Sequence, residues 1–474
     1  MLLMGMTAGL QAEVRHHTVQ PGQNLYRISK NYGVTVEAIL KANPGLTEDN
    51  VPTGMTLVIP EATMEPVKMP LTPEGYTPPQ PDEGNGQGWT MQGDSHWNDG
   101  TLTMTLLLPF NLAAETTEDN KIQMRNVEFY QGVLMAVDEM QERGRRVKIQ
   151  AYDLATQPLY STLYSPELQQ SDVVISSSKE EDLRQVAVWS ESSGTPVISP
   201  FDFNNSMVGM YQHLFQINTP KSQLYPQLTE ELLQRFADYT FIFVTDSVGN
   251  RKADPYAGEL KQALQRRRIP YRELSYLRPE RLMACDSILG LKDDNILFVP
   301  VTPQTEAMRR MFSGLQHVKI LRDARYELAQ TEGNAPAKGQ PKLAVLGYPE
   351  WILDTQEFIN YYYDLNVYLF SKFYANPFDP AVNNFYSTFK KWYGKEPMVL
   401  APRYALLGYD VAKTCFQMLS RHGQHLEEHV GEEQIDGLQT PFSFENGGGR
   451  GFYNRGLYLV HFTPESTIEK IFIR

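Results

Sequence analysis

From Thr101 onward the chain alternates short apolar strands with helical segments, and this alternation limits the fold more than any other feature of the sequence. Apolar residues recur at every second position from Leu102 to Leu108. A helical pattern then runs from Val127 to Val137 and stops at Gly144. The next predicted strands are 147–152, 172–176 and 195–200. Strands that alternate with helices in this way indicate right-handed crossovers on a parallel sheet.

The same alternation begins afresh after residues 213–218. The second set of predicted strands is Phe241–Asp246, Tyr271–Leu277, Ile296–Thr302 and Leu343–Pro349. A chain of 474 residues is long enough for two such units, each with its own hydrophobic core. The sequence therefore predicts an α/β body made of two lobes, with parallel sheets flanked by helices.

The segment before this body has a different order of hydrophobic periods. His17 to Gln20 is predicted as a strand, and Asn24 can cap a helix whose next residues are apolar on one face. A second helix is predicted after Thr35, ending at residues 43–45. Leu57 to Ile59 closes the segment as a strand. The order strand, helix, helix, strand predicts two helices on one face of a two-stranded sheet.

This order, together with Val19, the turn at residues 22–25 and the late Asn43-Pro44, resembles the LysM family over residues 16–60. The resemblance implies that two loops form a shallow groove for the N-acetyl groups of a glycan, with peptidoglycan as the expected partner. Gln23 and Asn24 stand where the family has acidic and hydroxyl residues, so a preference for peptidoglycan over chitin stays open. The implied groove residues are Gly22, Gln23, Asn24, Leu25, Tyr26, Asn43, Pro44, Gly45 and Leu46.

Two further segments flank this module. Residues 1–12 are apolar and end in small residues, like the second half of a signal peptide, which predicts export to the periplasm or cell envelope. Residues 61–98 are rich in Pro and then in Gly without a sustained period, which predicts a linker.

Nine segments of the body, in their order along the chain, carry a resemblance to a known fold: Thr105–Phe110, Gly132–Met140, Lys148–Asp153, Thr195–Phe201, His213–Ser222, Pro377–Pro397, Tyr404–Lys413, Gln439–Phe444 and Leu457–Phe462. In this order they resemble the type 1 periplasmic binding fold, in its branched-chain amino-acid-binding branch. The resemblance implies lobe 1 at 101–219 with 376–437, lobe 2 at 220–375 with 438–474, and a ligand in the cleft between them, which closes by hinge bending.

The expected cleft departs from the family's pattern. Lys179-Glu180 and residues 201–203 stand where amino-acid binders hold the ligand carboxylate, so that cradle is absent. Aromatic and acidic side chains at the cleft positions would suit a larger or cationic ligand. A cleft retained only for protein contacts is the alternative. The candidate cleft residues are Lys179, Glu180, Phe201, Asp202, Phe203, Tyr256, Glu350 and Trp351.

Composition excludes several classes of function. The 56 Asp and Glu outnumber 43 Lys and Arg, and a net charge of −13 repels nucleic-acid phosphates. No apolar stretch in the body approaches the roughly 20 residues of a membrane-spanning helix. Two cysteines, Cys285 and Cys415, are too few for a disulfide framework or a structural zinc site, and whether they pair stays open.

Four motifs are discounted. His425–His429 fits a zinc-binding spacing, but its surroundings are polar on all sides and no metal is expected. The glycine-rich stretch 445–451 lies between two strand-like runs and predicts a hairpin turn, not a phosphate site. Ser176–Ser178 lacks a nucleophile elbow, so no catalytic residue and no cofactor is expected. The aromatic run 358–363 has helical spacing typical of core.

These features predict a non-catalytic, wall-attached binding protein whose body captures a small ligand such as an amino acid, a peptide or a wall fragment. One alternative is a scaffold that contacts a cell-wall enzyme, resembling the lipoprotein activators of peptidoglycan synthases. A weaker alternative is the substrate-binding component of an ABC transporter.

Overall fold

A computed structural model of the chain describes residues 15–19, 25, 28, 36–47, 51–52, 54–60, 100–111, 121–176, 179–201, 207–248, 252–291, 293–446 and 449–473. The expected signal segment at 1–12 and the expected linker at 61–98 lie outside these residues. The described residues form two compact units, one made of those that fall within 1–90 and 384–397 and the other of those that fall within 91–383 and 398–474.

The N-terminal module has the elements that its sequence predicts. Strand β1 (Arg15–Thr18) pairs antiparallel with β2 (Thr56–Ile59), and helix α1 (Val36–Ala42) lies between them in sequence. Leu25 and Ile28 are helical and buried, as expected for the first predicted helix. The buried residues of this small core are Val19, Leu25, Ile28, Ile39, Leu57 and Ile59.

The body contains two seven-stranded sheets, with six parallel strands in the first and five in the second. The first sheet has the strand order β15-β16-β7-β6-β5-β3-β4, and all of its pairs are parallel except β15 with β16. Its strands are β3 (Thr101–Leu108), β4 (Arg146–Asp153), β5 (Val173–Ser176), β6 (Val197–Ser199), β7 (Leu214–Gln216), β15 (Phe444–Glu445) and β16 (Phe452–Asn454).

The second sheet repeats this arrangement with the order β18-β17-β12-β11-β10-β8-β9. Strands β8 to β12 are parallel, and β17 and β18 add an antiparallel edge. Its strands are β8 (Tyr239–Asp246), β9 (Tyr271–Tyr276), β10 (Asn295–Pro300), β11 (Leu343–Gly347), β12 (Val367–Ser371), β17 (Leu457–Phe462) and β18 (Ile468–Ile473). A short pair, β13 (Ile435–Asp436) with β14 (Pro441–Phe442), lies outside both sheets.

Helices connect the parallel strands, as the sequence predicts. The α-helices of the body are α2 (Lys121–Glu142), α3 (Leu159–Leu163), α4 (Glu180–Ser193), α5 (Lys221–Arg235), α6 (Pro255–Arg266), α7 (Pro279–Met283), α8 (Cys285–Leu289), α9 (Thr305–Thr331), α10 (Thr355–Asp364), α11 (Pro380–Tyr393), α12 (Tyr404–His422) and α13 (Leu426–His429). Single turns of 3₁₀ helix occur at Leu168–Gln170, Pro349–Ile352, Gly423–His425 and Val430–Glu432.

The chain passes between the two sheets three times in its described part. The first crossing, Ile217–Pro220, follows β7, and the second leaves β12 at Lys372. The third is Arg455-Gly456, between β16 and β17. Because β15 and β16 pair within the first sheet, the return to lobe 2 falls later than the boundary at residue 438 expected from the sequence. Short strands of two and three residues explain the difference, since they carry little periodic signal.

Each sheet is covered by its own apolar core. The aromatic run at 358–363 lies in α10, where Phe358 and Tyr362 are buried in the core of lobe 2. Cys285 and Cys415 are free and buried, the former in the core of lobe 2 and the latter in that of lobe 1. None of the described helices is long and apolar enough to cross a membrane.

Candidate functional site

The topology of each sheet marks where a ligand can bind. In both sheets the first strand of the lobe lies between the second and the third, so the direction in which successive strands are added to the sheet reverses beside β3 and beside β8. In open parallel sheets of this order, ligands bind outside the carboxyl ends of the strands near that reversal. The candidate site is therefore the edge formed by the residues that follow β3, β5 and β6 in lobe 1 and β8, β10 and β11 in lobe 2.

A cavity of about 430 Å³ lies at this edge of lobe 1. This volume falls within the range of roughly 300–1,000 Å³ typical of small-molecule pockets. Residues after β6, at the start of the first crossing and near the N-termini of α2 and α12 form its wall. The lining residues are Arg125, Asn126, Pro200, Phe201, Asn218, Ala401, Pro402 and Tyr404.

Arg125 carries the positive charge of this cavity. Its Nη1 donates to the hydroxyl oxygen of Tyr404 at 3.2 Å, and its guanidinium carbon lies 5.4 Å from the centre of that ring. The cation–π contact and the hydrogen bond place the guanidinium beside Tyr404 and leave its remaining N–H groups for another acceptor. Among the described lining residues there is no Asp or Glu.

Asn218 adds a second donor to the cavity wall. The Lys372 ammonium donates to its Oδ1 and, at 2.8 Å, to the carbonyl oxygen of Thr219. Because Lys372 can only donate, the amide oxygen of Asn218 must face it, and the Nδ2 group is left as a donor. Lys372 thereby also ties the second crossing of the chain to the first.

The aromatic rings of the cavity wall pack against other side chains of lobe 1. The rings of Phe201 and Tyr404 lie 6.1 Å apart, and Phe201 packs at 5.3 Å on Phe129 of α2. Asn126 is buried and donates to the carbonyl oxygen of Pro109, which fixes the loop after β3 against α2. The cavity thus combines a donor-rich side with a rigid apolar side.

Of the expected cleft residues that the structure describes, Phe201 is the one that lines this cavity. Lys179 and Glu180 lie at the start of α4, where they pair with Asp182 at 3.8 Å and Arg184 at 2.9 Å. Both are exposed, and they are absent from the cavity wall. Asp202 and Phe203 lie outside the described residues.

Two expected cleft aromatics belong to the core of lobe 2 instead. Tyr256 is fully buried and makes a 3.3 Å hydrogen bond with Thr229. Trp351 is also fully buried, and its Nε1 donates to the carbonyl oxygen of Pro303 at 2.8 Å. Aromatic residues beside strand ends suit a core as well as a cleft, and here the core buries them.

Glu350 lies at the carboxyl edge of lobe 2, as expected, but it already has a cationic partner. Its carboxylate accepts a hydrogen bond from the Lys221 ammonium, and both side chains are about half exposed. Nearby, burial and the charge of Glu350 raise the pKa of Asp254. A cationic group of a ligand would have to compete with Lys221 for Glu350.

In the N-terminal module, the described groove candidates divide into structural and exposed residues. Leu25 is buried in the core, and Asn43 uses its side chain internally. Its Nδ2 donates to the carbonyl oxygens of Ile39 and Val58 at 2.7 and 2.8 Å, and its Oδ1 accepts from the Val58 amide at 2.8 Å. Asn43 therefore joins the end of α1 to β2.

The remaining described groove candidates are on the surface. Pro44 and Gly45 are exposed, and Leu46 is half-buried against the small core. Gly45 has a φ of +94°, a conformation that glycine adopts without strain. Gly22, Gln23, Asn24 and Tyr26 lie outside the described residues.

The order of the strands, the three crossings and the cavity beside the first crossing define a two-lobed α/β binding fold of the type 1 periplasmic class. Residues 17–60 match the model of the LysM domain family. A search of curated proteins found none that matches the chain.

Solved structures of binding proteins are similar over the body. An ABC transporter substrate-binding protein from Desulfitobacterium hafniense in complex with Leu is 15% identical, with 78% of this chain and 100% of that chain covered and a TM-score of 0.38. A protein assigned as a branched-chain amino acid ABC transporter from Rhodospirillum rubrum has the same identity and coverage with a TM-score of 0.48.

A branched-chain amino acid transporter substrate-binding protein from Streptococcus pneumoniae in complex with isoleucine is 12% identical. The match covers 78% of this chain and 99% of that chain, with a TM-score of 0.36. Because all three TM-scores are below 0.5, the two-lobed assignment rests on the strand order of the sheets and on the crossings.

The residues that line the cavity, other than Phe201, were not expected from the sequence. Arg125 lies just before the helical pattern that the sequence shows from Val127 onward, and Asn218 lies in a crossing. The two residues come together only because α2, α12 and the first crossing meet at one edge of the sheet. Tyr404 begins one of the segments that carry the family resemblance, but nothing in that segment marked its side chain as a site residue.

Proposed function

We propose that this chain is a non-catalytic binding protein of the cell envelope, which attaches to peptidoglycan through its LysM module and captures a small ligand in its two-lobed body. The observation that supports capture is the cavity of about 430 Å³ beside the first crossing, walled by Arg125, Asn218 and two aromatic rings. The match of residues 17–60 to the LysM family supports attachment.

The position of the cavity fits a protein that closes around its ligand. Phe201 and Tyr404 belong to lobe 1, whereas Asn218 lies in the segment that leads into lobe 2 and is bound by Lys372 from the second crossing. A ligand held there would contact both a lobe and its hinge. Ligand binding would then favour one hinge angle over the others, which is the physical basis of closure.

The proposed location of the protein follows from its LysM module and its two-lobed body. Peptidoglycan lies outside the cytoplasmic membrane, so a LysM module that binds it requires an exported protein. A wall-attached body with a ligand cavity suits local capture of wall fragments, amino acids or peptides. No described feature of the site specifically supports the scaffold or the transporter alternative, so capture remains the proposed role.

Thermal melting of the full chain tests the capture role. The chain is melted with a muramidase digest of peptidoglycan and with a mixture of free amino acids. A ligand at 100 times its Kd stabilises the native state by about 2.7 kcal/mol, which raises Tm by several degrees for one lobe.

Phe201→Ala is the informative variant, because it removes a ring from the cavity wall without changing charge. We expect it to reduce the ligand-induced rise in Tm. Tyr164→Ala, at an exposed position outside the cavity, is the matched control and should keep the full rise. The capture role fails if neither mixture changes the Tm of the wild-type chain.

A further inference from the structure

A second cavity lies in lobe 2, at the edge of the sheet where its parallel strands begin. Tyr239 opens β8 and Leu343 opens β11, and both line this cavity together with α9 and the turn between β17 and β18. Its volume is about 560 Å³, within the roughly 300–1,000 Å³ typical of small-molecule pockets. Since the candidate site lies at the carboxyl ends of the strands, this cavity is at the opposite edge of the sheet and separate from that site.

Arg322 of α9 brings an unsatisfied donor to this cavity. Its side chain lines the cavity and is almost fully buried. Its Nη1 donates to the Asp286 carboxylate at 2.7 Å and to the carbonyl oxygen of Leu291 at 3.1 Å, and its Nη2 donates to the carbonyl oxygen of Asp294. The Nε has no partner among the described residues. Because buried N–H groups are normally paired, the cavity calls for a bound molecule with an acceptor oxygen.

Two tyrosine hydroxyls and an amide oxygen add further hydrogen-bonding groups. The hydroxyls of Tyr239 and Tyr368 have no hydrogen-bond partner among the described residues. Burial raises the pKa of both, that of Tyr368 to about 12, so both stay protonated and can donate as well as accept. Gln340 donates its Nε2 to Asp323 at 2.8 Å, which leaves its Oε1 as an acceptor.

The charges of the wall balance one another. Lys319 pairs with Asp323 at 2.8 Å and lies 3.5 Å from Asp364. A charged ligand would be repelled by one set of these groups and would lose its hydration, so a neutral ligand is favoured. The charged residues among the described lining residues are three basic and three acidic: Lys319, Arg322, Lys342, Asp323, Asp364 and Glu465.

The ring of Tyr368 gives the wall a flat apolar part. It stacks on His461, with ring centres 4.0 Å apart and planes 5° from parallel. Hydrogen bonds to Asn366 at 2.6 Å and to Glu469 at 2.9 Å fix the imidazole. A fixed ring of this kind offers surface against which the C–H groups of a ligand can pack.

We propose that this cavity is a second binding site, which takes a neutral saccharide. A sugar ring carries hydroxyl groups that both donate and accept, as the tyrosine hydroxyls and the Gln340 oxygen require. One of its oxygens accepts from the Arg322 Nε, and its C–H groups pack on the aromatic wall. The site goes beyond the proposed function, because it is separate from the cavity of lobe 1 and belongs to no part of the LysM module.

Calorimetric titration of the full chain tests the ligand class. The probes are D-glucose, D-galactose and N-acetylglucosamine, and we expect at least one of them to bind saturably. D-glucuronate and protonated D-glucosamine, which add one charge to the same ring, should bind at least tenfold more weakly. Equal or tighter binding of either charged sugar overturns the neutral assignment, and no saturable binding of any neutral sugar overturns the site.

Hydrogen exchange with the bound sugar tests the location. Exchange should slow in segments 339–344 and 461–467, which border the cavity. It should be unchanged in segments 43–46 and 197–201, which belong to the LysM module and to lobe 1. Slowing that is confined to these last two segments overturns the assignment to lobe 2.

Removal of one hydroxyl gives the second test of location. Tyr368→Phe keeps the ring on His461 and should weaken binding about three- to tenfold, the net worth of one hydrogen bond. Tyr326→Phe removes a hydroxyl of α9 that accepts from Gln330 outside the cavity, and it should bind like wild type. Undiminished binding by Tyr368→Phe overturns the proposal. If that variant fails to fold, Tyr239→Phe at the half-buried start of β8 replaces it with the same expected loss.

Discussion

Gly132 in α2 and Gly408 in α12 mark a crossing where the two helix backbones touch. A Cβ atom on Gly132 would lie 1.8 Å from the carbonyl oxygen of Ala405, and one on Gly408 would lie 1.9 Å from that of Phe129. Arg125 and Tyr404 lie toward the N-terminal ends of the same two helices. The close crossing therefore sets the distance at which the Arg125 guanidinium meets the Tyr404 ring.

Gly132→Ala and Gly408→Ala should each destabilise the body and weaken ligand binding. The added methyl group meets backbone atoms that cannot turn aside, so the helices must separate, at a cost of about 1–3 kcal/mol or more. Urea unfolding measures the loss. Gly258→Ala in α6, where an added Cβ meets nothing within 4 Å, is the matched control. It should be neutral or slightly stabilising, because Ala favours a helix over Gly. Equal effects at Gly132 and Gly258 would contradict the described crossing.

Asp410 in α12 should be essential to the loop that joins β13 to β14. Its buried carboxylate accepts hydrogen bonds from the backbone amides of Leu438, Gln439 and Thr440 at 2.8, 2.9 and 2.9 Å. Asp410→Asn replaces one acceptor oxygen by a donor, so at least one buried amide loses its partner. We expect a loss of about 1–3 kcal/mol in urea unfolding.

The loop around Gln439 gives this prediction a local readout. Tyr374 donates its backbone amide to the Gln439 carbonyl oxygen at 2.8 Å, and the Gln439 side chain bonds both backbone groups of Arg403 at 2.9 Å. Hydrogen exchange at these amides should accelerate in Asp410→Asn. Hydrogen exchange at β9, the edge strand of the second sheet opposite β18, is the internal control. An unchanged rate at Gln439 would show that Asp410 does not hold the loop.

His213 should titrate above its usual range. The hydrogen bond with the Glu427 carboxylate is the main cause that raises the pKa of His213, and burial opposes it. A raised native pKa means that this pair stabilises the fold fully below the unfolded value of about 6.5 and that the contribution is lost as the pH rises through the native pKa. An NMR titration of the imidazole measures the shift.

Glu427→Gln removes the charge that holds the His213 proton and should lower the pKa of His213. Glu428→Gln changes the neighbouring carboxyl, which contacts His425 at 3.3 Å instead, and should leave His213 as in wild type. If both variants shift the His213 titration equally, the pairing with Glu427 is not the cause.

Substitution of Asn43 should lower the stability of the LysM module as well as alter its groove. Its side chain makes three hydrogen bonds, with Ile39 and Val58, between α1 and β2. Asn43→Ala leaves those backbone groups without partners, at about 1–3 kcal/mol for each group that stays buried. A module of this size has a small core and little stability in reserve. Hydrogen exchange of the full chain should show faster exchange at Val58 and unchanged exchange in the body. Lys41→Ala, at an exposed position in the last turn of α1, is the matched control.

Much of the architecture follows from the hydrophobic periods. Strands such as β3 and β8 and helices such as α2 are long enough for the spacing of their apolar residues to distinguish strand from helix. The elements of the LysM module follow from the same spacing together with the family's motif residues. The glycine-rich stretch near Gly449 joins the antiparallel strands β15 and β16, as predicted. Strand β12 was not predicted, because it follows the aromatic helix α10 directly and its run of apolar residues fits either period.

The candidate site was less predictable than the fold. The position of Phe201 in the sequence indicated the cavity edge after β6. The sequence did not indicate where the side chains of Tyr256 and Trp351 point, and both are buried in the core. Arg125 and Asn218 belong to different elements and meet only after folding. A pairing such as Lys221 with Glu350 likewise depends on how α5 lies against the turn after β11.

The most direct test of the account is co-sedimentation of the full chain with purified peptidoglycan sacculi. We predict that the wild-type chain pellets with the sacculi and that soluble N-acetylglucosamine-containing fragments release it. Pro44→Glu, at an exposed groove position, should reduce the pelleted fraction. His16→Glu, an exposed change of the same kind in β1, should not. A wild-type chain that stays in the supernatant, as it does without sacculi, would contradict attachment to the wall.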